Sequence, residues 1–93
     1  MIDKYAIYIK ALDAYGAQAQ TIIAMEEMAE LTKELSKNLR GANNTAQIAE
    51  EIADVRIMLD QMALLHGCEG LAANYKTAKI DRLAERLAEA RGE

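Results

Sequence analysis

The sequence predicts an all-α fold, a four-helix bundle that assembles as an oligomer. Three observations carry that expectation. Proline is absent from all 93 residues. Apolar residues recur at steps of three and four along four stretches, the period of a helix with one buried face. No stretch alternates with period two for long enough to make a strand, and the glycines fall between the periodic stretches, where helices stop.

The first stretch runs over roughly 2–15 and ends at Gly16. The second, 18–39, carries the row Ala24, Met28, Leu31, Leu35 and Leu39. Gly41-Ala42-Asn43-Asn44-Thr45 breaks the chain next, with Asn44 or Thr45 placed to cap a helix that starts at Ala46. The third stretch, 46–66, is the clearest, with Ile48, Ile52, Val55, Leu59, Met62 and His66 in register. His66 closes that row and reads as a helix-end residue. After Gly67 to Gly70 the fourth stretch, 71–90, repeats the pattern with Ile80, Leu83 and Leu87. Each row is expected to face a shared core, with short connections between antiparallel neighbours.

A chain of this length forms one domain (residues 1–93), and a domain this small buries only about 60–65% of the surface its unfolded chain exposes. With no Phe, no Trp and four Tyr, the interior is built from aliphatic side chains and Met. Such a core is expected to borrow burial from a second copy. Ile57 and Leu64, assigned to the side of the third helix away from its acids, are the residues expected at that interface. Fifteen acidic against eleven basic residues leave a charge of −4, which disfavours a nucleic-acid role. The single cysteine, Cys68, makes neither an internal disulfide nor a metal site alone. The start of the chain does not resemble a signal peptide and no apolar run approaches membrane-spanning length, so a cytoplasmic location and no membrane partner are expected.

The acids are placed with order. Glu27 and Glu30 lie about 60° apart on the second helix, at the edge of its apolar row, and Glu51 and Asp54 repeat that placement on the third. If the two helices pack together, four carboxylates converge. Without a counter-charge they repel, and a divalent cation relieves the repulsion. An all-oxygen ligand set with no Glu-x-x-His pair suits Mg²⁺, or Mn²⁺, rather than zinc or a di-iron centre. The same spacing also serves a solvated face, on which Glu30 would pair with Lys33 or Lys37.

On the fourth helix Tyr75, Lys79, Arg82 and Arg86 fall within an arc of about 60°. Arginine forks and a lysine ammonium match a phosphate chain. The competing reading is a solvated helix end, with Asp81, Glu85 and Glu89 as local partners.

Met25-Glu26-Glu27-Met28-Ala29-Glu30-Leu31 followed by Glu50-Glu51-Ile52-Ala53-Asp54-Val55, with a gap of twenty residues (31–50) between Glu30 and Glu51, resembles the E-E-x-x-E and E-x-x-D signature of the MazG-like nucleotide pyrophosphohydrolases. The likeness takes in Tyr15-Gly16, Gln20, Lys37 to Gly41, the run Ile57 to Met62, and Lys79-x-x-Arg82-Leu83-x-x-Arg86-Leu87, so that it spans roughly 15–87. It is to the short stand-alone members, including those of phages. The resemblance implies a helical bundle that forms dimers or tetramers. It implies Mg²⁺ held by Glu27, Glu30, Glu51 and Asp54 as the catalytic set, with Glu26 either behind the site or in solvent. It implies Lys79, Arg82 and Arg86 as phosphate contacts. The implied reaction is hydrolysis of an NTP or dNTP to the monophosphate and pyrophosphate.

Two departures narrow this. Members that select one base use large aromatics, and here only tyrosines such as Tyr75 and Tyr15 are available. Phosphoribosyl-ATP pyrophosphohydrolases carry a Tyr-His pair soon after the second motif, where this chain has Ile57-Met58, so that substrate ranks lower. The alternative from another class is a non-catalytic helical oligomer, an interaction or regulatory module that keeps the bundle without the activity.

Overall fold

A computed structural model describes residues 2–92; Met1 and Glu93 lie outside it. The described chain is all-helical: α1 (Lys4–Tyr15), α2 (Ala17–Leu39), α3 (Thr45–Leu65) and α4 (Glu69–Ala90). These bounds agree with the periodic stretches to within about two residues at each end, the ordinary uncertainty of helix ends. No described helix is long and apolar enough to cross a membrane.

Local chemistry sets the boundaries. The carboxylate of Asp3 accepts from the backbone N–H of Tyr5 at 3.0 Å and of Ala6 at 3.4 Å, which caps α1. Gly16 alone joins α1 to α2, at φ 90°, a conformation that disfavours any residue with a Cβ. At the end of α2, Gly41 (φ 100°) lets its own N–H reach the carbonyl of Asn38 and the next N–H reach that of Lys37. His66 sits at the C-cap of α3, in keeping with its reading as a helix end.

Asn44 holds the N-cap position of α3, yet its side chain makes no cap bond. It turns back instead and donates to the backbone carbonyl of Glu34 at 2.9 Å and to the Glu34 carboxylate at 3.3 Å. Lys37 Nζ lies 3.3 Å from that carboxylate. The Asn44 hydrogen bond, helped by Lys37, holds the Glu34 carboxyl below its ordinary range against the opposing effect of burial. The turn between α2 and α3 is thus tied to α2 by a buried polar knot.

The main packing is α2 against α3 as an antiparallel hairpin. α1 lies across both, and α4 packs on α3 alone, reaching neither α1 nor α2. The buried apolar set is small: Tyr8, Ala24 and Met58. The seam differs from the expected one. On α2 it runs through Gln20, Ala24, Glu27, Leu31 and Glu34, and on α3 through Glu51, Asp54, Met58 and Gln61. Ile52, Leu59, Met28, Leu35, Leu39, Ile80, Leu83 and Leu87, all expected in the core, are exposed. α4 has no buried residue at all. Much of each apolar row therefore faces outward, while Ala24, Leu31, Ile48, Val55 and Met62 stay buried or half-buried, and the acids occupy the helix–helix seam rather than its edge.

The dimensions agree. The radius of gyration is 16.8 Å, against about 12.3 Å for a compact domain of this length. The accessible surface is 7276 Å², against about 5,400 Å² for a monomer of this mass.

Candidate metal centre

One turn of α2 and one turn of α3 build the site. Glu27 projects from α2, and Glu51 and Asp54, three residues apart, from one turn of α3. One carboxylate oxygen from each lies within 4.8 Å of the other two, and all three residues are half-buried. Ile23, Ile57 and Met58 join Glu27 and Asp54 around a cleft of about 90 Å³. Ile57, expected on the side of α3 away from the acids, therefore lines the acidic site instead. A residue three positions after Asp54 is only about 60° around the helix from it.

The three acids lack a basic partner: the ion pair found among the described residues is Lys37 with Glu34. Burial, then the charges of Asp54 and Glu51 and the sharing of a proton with both, hold the Glu27 carboxyl above its ordinary range. Oε2 of Glu51 is buried with no hydrogen-bond partner. A buried anionic oxygen left unpaired is costly, and a hard cation is the ligand that three converging carboxylate oxygens would suit. The donor set fits Mg²⁺ or Mn²⁺.

Glu30, expected as the fourth ligand, is exposed on α2, and its carboxylate is not part of the group of three. Lys37 pairs with Glu34 and not with Glu30. Glu26 faces solvent. The expected phosphate contacts Tyr75, Lys79, Arg82 and Arg86 are all exposed on α4. Tyr75 and Lys79 share an open trough of about 720 Å³ with Ala72, Lys76, Ile80 and Leu83. This trough shares no lining residue with the cleft at Glu27 and Asp54, so the basic row and the acids of one chain are not brought into one pocket. Lys76, not among the expected residues, lines the same trough. It sits three residues before Lys79, and that spacing was its available signal.

Compared with protein-family models, with curated proteins and with solved structures, the chain finds no significant match.

Proposed function

We propose that this protein is a Mg²⁺-dependent nucleoside triphosphate pyrophosphohydrolase that cleaves an NTP or dNTP between its α- and β-phosphates. The observation that carries the reading is the convergence of Glu27, Glu51 and Asp54 without a counter-charge. The motif resemblance supplies the reaction class.

Glu27, Glu51 and Asp54 would hold the cation, which when bound neutralises phosphate oxygens and lowers the pKa of a water. A carboxylate beside the cation would accept the proton of the attacking water. Lys79 and Arg82 would stabilise charge moving onto the leaving pyrophosphate. In this reading they serve the site of a second copy, because the trough along their helix shares no lining residue with the acidic cleft of their own chain. The surplus surface, roughly 1,900 Å² over a compact monomer, and the outward apolar rows support a homo-oligomer in which α4 of one copy lies on the acidic hairpin of another.

The test is incubation with a panel of NTPs and dNTPs, with Mg²⁺ or with EDTA, followed by assay of pyrophosphate. Metal-dependent release from at least one nucleotide is expected. No release from any of them sinks the activity. The exposed apolar rows also suit the second reading, a non-catalytic oligomer, which predicts self-association with neither turnover nor stabilisation by Mg²⁺.

A further inference from the structure

The hairpin seam carries polar side chains at a regular interval. On α2 they are Gln20, Glu27 and Glu34, seven residues apart; on the other strand of the hairpin Asn44 stands seven before Glu51, and Gln61 seven after Asp54. Seven residues return to almost the same face of a helix, two turns on. The antiparallel pairing therefore stacks three layers: Glu34 with Asn44 at the turn, Glu27 with Glu51 and Asp54 in the middle, and Gln20 with Gln61 at the open end. In that last layer Gln20 Nε2 donates to Gln61 Oε1 at 2.6 Å. The two residues are 4% and 5% exposed.

Stability alone is a poor reason for this pair. Oε1 of Gln20 is buried without a partner, and an unpaired buried acceptor opposes folding. Apolar residues of the same size avoid that penalty. What an amide pair adds is direction. Apolar contacts survive a slide or roll of one helix on another, whereas a hydrogen bond does not survive a slip of one turn, about 5.4 Å. Buried amides at heptad spacing fix register in this way in helical coils.

We propose that Gln20 and Gln61 are positioning residues for the acidic site. Asn44 pins the hairpin at its turn, the amide pair pins its open end, and the two together hold Glu27 opposite Asp54. The inference rests on the metal reading for its purpose, though the register it describes is measurable without metal.

The experiment uses the full chain carrying Cys68→Ser, with spin labels on cysteines placed at the exposed positions Lys33 and Arg56, diluted with unlabelled protein. Distances between the labels are compared with and without Gln20→Met/Gln61→Met. Mn²⁺ affinity is read from the signal of the free ion on the unlabelled proteins. The double variant should keep its helix content and its melting temperature in EDTA. Its distance distribution should broaden or shift, and its Mn²⁺ affinity should fall by about tenfold or more. Gln61→Asn, which keeps the amide but shortens its reach, should do the same and is the variant to read if the double variant does not fold. An unchanged distance distribution overturns the proposal, as does full Mn²⁺ affinity in a variant whose distances have moved. If the parent takes up no Mn²⁺, the metal reading fails, and the distances still decide the register.

Discussion

Glu51 is the residue on which the site is most exposed to test. Glu51→Gln keeps the shape of the side chain and removes one negative charge. Turnover should be abolished, with metal affinity reduced by more than the roughly 10–100-fold typical of losing an outer-shell partner. Without metal the variant should melt at or slightly above the parent temperature, because one of three mutually repelling carboxylates has gone. Retained pyrophosphate release in Glu51→Gln would remove the site. Glu30→Gln makes the useful contrast: its carboxylate stands outside the group of three, so a smaller effect on Mg²⁺ stabilisation is expected than from Glu27→Gln. Equal effects would restore Glu30 as a full ligand.

The two displaced carboxyls give opposite pH dependences. Glu27 is raised above its ordinary value of 4.5. Its contribution to stability is complete below that value and is lost as pH rises through its higher folded value. Glu34 is lowered from the same value, so its contribution is present above 4.5 and lost as pH falls through its lower folded value. In EDTA the melting temperature should therefore decline from mildly acidic toward neutral pH. Mg²⁺ should abolish that decline, since the cation takes the place of the proton. Glu27→Gln should flatten the EDTA curve. A parent curve that is flat in EDTA would contradict the crowding of the three acids.

At the scale of the element, α4 is the outlier. A 22-residue helix with no buried side chain has, beyond a short contact with α3, only propensity and local pairs to hold it, and such helices are marginal in water. Burying a leucine contributes about 1.5–3 kcal/mol, so Leu83→Asp should split the proposed assembly and lower the melting temperature by several degrees. If the row stays solvated, the change should lie within about 0.5 kcal/mol of neutral. Light scattering and thermal melting of the variant distinguish the two.

Helix placement was legible in the sequence because glycines and periodicity are local signals. The buried face was not. The rows through Met28, Leu35, Ile52 and Leu59 are the most apolar stripes, but a stripe records only that a face is apolar, not which neighbour covers it. The actual seam holds Gln20, Glu34 and Gln61, which bury because each finds a partner or a shared charge environment. The spacing of Glu27, Glu51 and Asp54 was enough to bring them together. Whether Glu30 joins them depends on the roll of α2 against α3, which the seam sets and the motif does not.

For the whole molecule, the extended dimensions and surplus surface lead to a simple expectation: light scattering should report a mass of at least twice 10.3 kDa. A stable monomer at micromolar concentration would remove the oligomer. If sites are shared between copies, Glu51→Gln mixed and re-equilibrated with Lys79→Ala/Arg82→Ala should regain activity that neither variant has alone. Some hybrid sites would then combine intact acids with an intact basic row. Mixing without recovery would mean that each copy completes its own site.

The short turn between α2 and α3 has a kinetic consequence. Contacts across a hairpin closed by Arg40 to Asn44 are near in sequence, and folds of that kind form within microseconds to milliseconds. Docking α4 on a second copy is instead bimolecular, and subunit assembly takes milliseconds to minutes depending on concentration. Refolding should show two phases: a fast gain of helix signal that ignores protein concentration, and a slower recovery of activity whose rate rises with it. A freshly diluted or newly made chain would then carry its acidic hairpin ready-formed and idle, waiting on an encounter.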